Sequence, residues 1–248
     1  MVMKQIRWYF FLTIALVAIS AVFYLIQVTI FHRTEDTFFY MLQDIAFVPV
    51  QVLLVTLFLN QLLTMREKRA LLKKMNMLIG TFYIEVGTDL MKQLCLFGSD
   101  LSPVREKMLV ADKWKEKDFM NARTAVKNSH YGIDSRTGNL SELKTFLSEK
   151  RTFLLSLLAN PNLLEHDAFT DLLWAVFHLV EELAVRESFQ GLPKTDYDHL
   201  SGDIKRAYSQ LLVEWLDYMK HLKNDYPYLF SLAVRINPMD MNANPVVQ

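Results

Sequence analysis

Two long runs without a charged side chain lie near the start of the chain, at residues 8–31 and 45–65. As α-helices, these runs of 24 and 21 residues would be about 36 and 31 Å long, enough to cross the roughly 30 Å hydrocarbon core of a bilayer. Lipid offers the backbone no hydrogen-bond partner, so a spanning segment is expected to be helical. The pattern predicts two transmembrane helices joined by a short external loop at 32–44. A cleaved signal peptide is the alternative for the first run, but the run is long for a signal core.

Beyond residue 65 the apolar positions recur at helical spacing, and strand-like alternation is scarce. One stripe at steps of three or four consists of Leu71, Met75, Leu78, Phe82, Val86, Leu90 and Leu94. No Pro or Gly interrupts residues 50–79, so the second span is expected to continue directly into this helix.

Start and stop signals predict four further helices. A Ser102-Pro103 start predicts a helix to about Asn128, and a capping box at Asn139 and Glu142 starts the next, which ends at the Asn160-Pro161-Asn162 stop. The others are expected at about 167–190 and, from Thr195, to about Lys223, with residues 129–138 as a loop. The sequence therefore predicts an all-α fold with three parts: a transmembrane hairpin at 1–65, a cytoplasmic helical domain at 66–237 and a flexible tail at 238–248.

Charge around the two apolar runs predicts their orientation. Lys4 and Arg7 precede the first run, and five cations follow the second at Arg66, Lys68, Arg69, Lys73 and Lys74. The segment between the runs is acidic, with Glu35, Asp36 and Asp44 against a single Arg. Because positive flanks stay in the cytoplasm, both termini are expected inside and the connecting loop outside a cell (inner) membrane.

The formal net charge of zero hides an asymmetry between the two parts of the chain. Residues 1–74 hold eight Lys and Arg against four Asp and Glu, whereas residues 75–248 hold 19 against 23. An acidic body is a poor generic partner for nucleic acid, so none is expected. Cys95 is the only cysteine, which excludes an intrachain disulfide and suits a reducing cytoplasm.

Two stretches near the end of the chain carry a family resemblance: WAVFHLVEELAVRESFQGLP at 174–193 and WLDYMKHLKNDYPYLFSLAVRINP at 215–238. They resemble an uncharacterised family of prokaryotic two-span membrane proteins. The resemblance implies a membrane protein and carries no activity with it.

Metal ligation is one chemistry that the predicted helices offer. Asp171, His178 and Glu182 share a helix face at steps of seven and four, and imidazole with carboxylate holds Zn, Mn or Fe in helical bundles. Asp196, His199 and Asp203 repeat the pattern on the next helix. A di-metal bundle needs repeated Glu-x-x-His pairs, whereas here the order is His178-x-x-Glu181 and no second copy appears. The alternative is structural, with His178 paired to a carboxylate and Glu182 paired to Arg186. No metal or other cofactor is therefore predicted.

Enzymatic signals are weak. Arg123 and His130 have a spacing that resembles the Arg…His pair of HEPN-type ribonucleases, all-α proteins that act on RNA phosphodiesters. Thr124 stands where that family favours Asn, His or Asp. No phosphate-binding Gly-rich loop, Gly-x-Ser-x-Gly or His-Glu-x-x-His motif is present, so a non-enzyme is expected.

The second apolar run contains three polar residues four apart, Thr56, Asn60 and Thr64, which we call the polar stripe. Polar groups in lipid need a partner, so the stripe predicts self-association or a partner subunit. Gln27 and Gln51 are expected to pair across the hairpin. If several second spans surround an axis, Glu35, Asp36 and Asp44 would form an acidic, cation-attracting outer mouth. The alternative is interhelical hydrogen bonding without conduction.

Three functional hypotheses follow. The first is a homo-oligomeric, channel-like membrane protein whose cation-leaning pore is lined by the second span and gated or assembled by the helical domain. The second is a membrane-anchored adaptor or sensor that binds a cytoplasmic protein partner. The third is a membrane-anchored HEPN-like ribonuclease.

Overall fold

A computed structural model describes residues 2–32, 34–163 and 166–247 of the chain. The side chains of residues 2–7, 9, 10 and 31 lie outside the description, and with them the predicted cationic flank at Lys4 and Arg7. The described residues are mostly helical, which confirms the all-α prediction. The chain divides into two compact units, Met1–Lys68 and Arg69–Gln248.

Two long helices contain the apolar runs, α1 at Val2–Phe31 and α2 at Thr34–Phe82. The predicted connecting loop at 32–44 differs from the structure, in which the chain is helical again from Thr34. Glu35 and Asp36 lie in the first turn of α2. Carboxylates at a helix N-terminus are favoured by the exposed backbone N–H groups, which accounts for a helical start in this polar segment.

Two short helices of different pitch follow α2. A π-helical turn at Tyr83–Gly87 leads into α3 at Thr88–Cys95. Residues 50–79 are helical without a break, as the lack of Pro and Gly predicted.

The remaining helices form the bulk of the second unit. They are α4 (Ser102–Met108), α5 (Glu116–Lys127), α6 (Leu140–Leu158), α7 (Asp167–Ala184), α8 (Lys194–Asp225) and α9 (Pro227–Arg235). The long α8 is the central element, because α3, α5, α7 and α9 all contact it, and α6 packs on α7. Its buried positions include Tyr208, Leu212 and Leu216.

Three predicted boundaries in this unit were wrong. The helix expected from Ser102 to Asn128 is two helices, α4 and α5, with Trp114 partly buried in the segment between them. The expected loop at 129–138 contains a short strand, β2 at Gly132–Ile133, which pairs antiparallel with β1 at Gly98–Ser99. Finally, α7 ends at Ala184 and not at 190.

The start of α6 and the tail after α9 complete the second unit. The Asn139 side chain accepts hydrogen bonds from the backbone N–H groups of Ser141 and Glu142 at 3.1 Å each, so the predicted N-cap of α6 is confirmed. The residues after Asn237 are less loose than predicted. Met239 is buried, and the Asn237 side-chain amide donates to the Met108 carbonyl at 2.8 Å.

Candidate functional site

The polar stripe lies in α2, where Thr56, Asn60 and Thr64 are all exposed. Steps of four place the three side chains on one side of the helix. Large apolar side chains around the stripe, among them Phe58 and Leu63, are exposed as well. Within the described part of the chain the Asn60 amide has no hydrogen bond.

The polar contact between the two long helices is not the one that the sequence predicted. Gln27 is half-buried and Gln51 is exposed, and among the described residues the two do not pair. Instead, the Tyr24 hydroxyl donates to Asp44 Oδ2 at 3.3 Å. Asp44, expected at an acidic outer mouth with Glu35 and Asp36, therefore already has a partner on α1.

The second unit brings four metal-ligating side chains together between α7 and α8. His178 and Glu182 lie one turn apart on α7, and His199 and Asp203 lie one turn apart on α8. One donor atom from each residue lies within 4.8 Å of the other three. We call this group the four-donor cluster.

The distances within the four-donor cluster are short. His178 Nε2 lies 3.4 Å from Asp203 Oδ2 and 3.8 Å from Glu182 Oε1. His199 Nε2 lies 3.2 Å from the same Asp203 oxygen and 3.5 Å from Glu182 Oε2. The carboxylates of the cluster are more buried than its imidazoles. The Asp203 side chain is 2% exposed and that of Glu182 is 24% exposed, whereas the His178 and His199 side chains are 45% and 50% exposed. The cluster therefore opens to solvent on its imidazole side.

Two arginines hold the carboxylates of the cluster. Arg186 donates to Glu182 Oε2 at 2.7 Å and makes two bonds to Asp196, at 2.7 and 3.0 Å. Its hydrogen bond lowers the pKa of Glu182 below the usual value, and its hydrogen bonds lower the pKa of Asp196 in the same way. Arg206 donates to Asp203 Oδ1 at 2.9 Å. Both acids of the cluster are thus held and oriented by arginines from outside it.

The structure separates two residues that the sequence grouped with the cluster. Asp171 lies seven residues before His178, about 10.5 Å along the helix axis, and lines another cavity. Asp196 binds Arg186 instead of joining His199. The two ligand pairs of the cluster have the order His then acid at a spacing of four, which differs from the Glu-x-x-His pairs of di-metal bundles. A His followed four residues later by an acid occurs at 178/182 and 199/203, but also at 32/36, 130/134 and 221/225, so this spacing alone does not identify the cluster.

A cavity of about 380 Å³ lies between α5 and α8. Its lining includes Arg123, Lys127 and Lys205 as well as Asp171 and the buried Glu214. Arg123 forms an ion pair with Asp217 at 2.9 Å. His130, its expected partner in a ribonuclease site, is exposed and does not line the cavity.

The described residues define a helical protein with two long apolar helices and a separate helical domain. The chain matches the models of both helical domains of MJ1433, the N-terminal one over residues 4–63 and the C-terminal one, described as uncharacterized, over residues 71–235. It is 41% identical over 238 residues to "Uncharacterized protein MJ1433" of Methanocaldococcus jannaschii, and the match covers 96% of each chain. No solved structure matches it. The chain therefore belongs to the MJ1433 family, which confirms the resemblance to an uncharacterised family.

Proposed function

We propose that this chain is an integral protein of the cell (inner) membrane that crosses the bilayer twice. The observation that supports the proposal is the exposure of α1 and α2. Their most apolar windows have mean hydropathies of 2.3 and 1.9, and 0% of either window is buried. The core helix of a soluble protein would bury such residues, whereas a bilayer covers them with hydrocarbon.

The proposed orientation places both termini in the cytoplasm. The cationic flank at 66–74 follows α2's apolar stretch, and the acidic residues Glu35, Asp36 and Asp44 stand at its other end. Positive flanks are retained on the cytoplasmic side, so the second unit lies in the cytoplasm.

The same reasoning supports self-association through the second span. Asn60 sits among lipid-facing apolar residues and has no hydrogen bond inside the described chain. An amide in hydrocarbon is costly without a partner, and a second copy of α2 brings an identical amide to the same depth. We infer that the polar stripe either contacts a neighbouring copy or faces a hydrated axis. The second arrangement makes a cation-leaning channel.

Substituting Asn60→Asp distinguishes a hydrated axis from a dry contact. Beside water, a ring of carboxylates is tolerated and raises cation over anion permeability. In a dry contact, the same change buries a charge at a cost of about 2.5–3.5 kcal/mol, and assembly fails. The measurement is ion flux through the reconstituted full-length protein, with subunit number determined in detergent on the same samples.

A matched control places the same charge on the opposite side of the helix. Phe58 lies two residues from Asn60, about 200° around the axis, and is exposed among apolar residues. Phe58→Asp is expected to abolish membrane insertion whether or not a pore exists. An intact oligomer that passes no ions would contradict the channel. A monomer or loose dimer would favour the alternative, a membrane-anchored adaptor with a cytoplasmic protein partner.

A further inference from the structure

Asp203 is the most unusual polar residue of the four-donor cluster. Its side chain is almost completely buried, and Arg206 satisfies only one of its oxygens, Oδ1. The other oxygen, Oδ2, is buried without a hydrogen bond. Buried carboxylate oxygens are nearly always satisfied, so an orphan of this kind needs an explanation.

The orphan oxygen is directed at both imidazoles of the cluster. Asp203 Oδ2 lies 3.4 Å from His178 Nε2 and 3.2 Å from His199 Nε2. Two imidazole nitrogens from different helices thus converge on one carboxylate oxygen, and Glu182 closes the group from its other side.

The spacing of the donors is close to that of a coordination tetrahedron. Bonds of about 2.0–2.1 Å from a zinc ion to nitrogen or oxygen ligands place neighbouring ligand atoms about 3.3–3.5 Å apart. Asp203 Oδ2 lies 3.2 and 3.4 Å from the two imidazole nitrogens, and the imidazoles approach different oxygens of Glu182 at 3.5 and 3.8 Å. With one donor atom taken from each residue, all separations are within 4.8 Å. A central ion would therefore reach all four donors with small side-chain adjustments.

We propose that His178, Glu182, His199 and Asp203 bind one divalent transition metal ion of the Zn²⁺ type. Two imidazoles and two carboxylates are a donor set that Zn²⁺ accepts in tetrahedral geometry, and the two acids balance its charge. All four positions are filled by protein, so no position remains for a catalytic water. The site is structural, in keeping with the lack of an enzyme motif in the sequence.

The surrounding arginines serve as outer supports of this site. Arg186 holds Glu182 and is itself anchored by Asp196, while Arg206 holds the far oxygen of Asp203. Such contacts fix the orientation of metal-binding carboxylates. The metal ion links α7 to α8, the central helix of the second unit, so metal binding stabilises that unit.

The competing explanation is an ion-pair cluster in which the imidazoles are protonated and face Asp203 without a metal. The two explanations differ in whether a stoichiometric ion binds. The test uses tag-free, full-length protein in detergent, stripped with a chelator and then titrated with Zn²⁺ by calorimetry and with Co²⁺ by visible absorption. We expect one ion per chain and the intense visible bands of tetrahedral Co²⁺.

Variants locate the bound ion. His178→Ala and His199→Ala remove half-exposed imidazoles, so the fold is expected to persist, and each should weaken metal affinity more than about 100-fold. Arg206→Gln should weaken it about 10–100-fold through Asp203. His130→Ala, at an exposed histidine away from the cluster, is the matched control and should bind as the wild type does.

Two results would overturn the proposal. One is a wild-type chain that binds neither Zn²⁺ nor Co²⁺ stoichiometrically, which leaves the ion-pair cluster. The other is retention of the bound ion in a folded His178→Ala, His199→Ala double variant, with folding checked by circular dichroism.

Discussion

Glu214 is an acidic residue that is buried in the interior of the second unit. It is 4% exposed on α8, and its pKa is raised to about 7, first by burial and then by the nearby Asp217. Arg123 and Lys127 oppose the rise without cancelling it. In the unfolded chain the same group titrates near 4.3. The carboxyl is therefore protonated in the folded protein at mildly acidic pH.

This difference predicts a loss of stability as the pH rises. The pKa of Glu214 is higher in the folded state than in the unfolded state. The contribution of this carboxyl to the free energy of unfolding is therefore fully present below about pH 4 and is lost as the pH increases to about 7. Glu214→Gln, which mimics the protonated acid, should match the wild type at pH 4. Above pH 7 it should be more stable by roughly 3 kcal/mol. Denaturant unfolding of the full chain across this pH range measures the difference.

The control for this prediction is Glu149→Gln, at an exposed acid on α6. This variant should retain the loss of stability with rising pH that is assigned to Glu214. An unchanged pH profile in Glu214→Gln would contradict the assignment of this titration to Glu214.

Single residues differ in how much of their role the sequence reveals. Asn139 was predicted as a cap because capping depends on local neighbours alone, and the structure confirms it. Glu214 and Asp203 gave no such signal. Their burial depends on which faces of α8 are covered by α5 and α7, and helical spacing on one segment does not contain that information.

Among the elements, the π-helical turn at Tyr83–Gly87 explains a feature of the apolar stripe. Leu78, Phe82, Val86, Leu90 and Leu94 recur every four residues, and each such step overshoots a full α-helical turn by about 40°. Uninterrupted, the stripe would drift to the far side of the helix. The wider π turn takes up this excess, so the last four of these residues are all completely buried.

Gly87 closes this turn under tight packing. A Cβ atom there would lie 2.6 Å from Tyr83 Cδ1 and 2.9 Å from Phe82 Cε1. Tyr83 cannot easily move, because its hydroxyl donates to the Leu211 carbonyl at 3.0 Å and its ring stacks on Tyr218 at 4.8 Å. Gly87→Ala should therefore destabilise the protein by about 1–3 kcal/mol, although alanine is the better helix former.

Gly80 is the matched control seven residues earlier. Its nearest neighbour for a Cβ is Tyr218 Cε2 at 3.6 Å, an ordinary contact. Gly80→Ala should stabilise by up to about 1 kcal/mol. Thermal unfolding of both variants, followed by circular dichroism, measures the two signs. Stabilisation by Gly87→Ala would show that the turn is not held by this packing.

Element types were predicted better than element ends. The helix α6 begins where its cap predicted, whereas the single helix expected from Ser102 is split into α4 and α5. The split brings Trp114 against Phe119, with ring centroids 5.1 Å apart, and places Val110 in the core. Tertiary packing of this kind overrides helix propensity, and so does the pairing of β1 with β2, whose strands are distant in sequence.

For the whole molecule, the charge distribution and the two units divide the chain at nearly the same place. The structural boundary falls between Lys68 and Arg69, inside the cationic segment 66–74. Apolar length and charge are properties of the sequence itself, so the proposed membrane unit was readable from them. The four-donor cluster was not, because it requires α7 and α8 to be paired in one register. Its ligands are 21 residues apart between the two helices, although each helix contains half of the motif.

The proposed topology makes a prediction for cysteines introduced at two positions. Glu35 is exposed at the start of α2, between the two apolar runs, and Glu149 is exposed on α6 of the second unit. Nearby Thr37 is buried and is the poorer choice. With both termini inside, Glu35→Cys should react with a membrane-impermeant maleimide on intact cells, and Glu149→Cys only after permeabilisation. The wild type is the background control, because its one cysteine, Cys95, is buried. Labelling of Glu149→Cys but not Glu35→Cys on intact cells would reverse the orientation. The second unit, with its four-donor cluster, would then face the exterior. The rule that positive flanks stay in the cytoplasm would not hold for the segment 66–74.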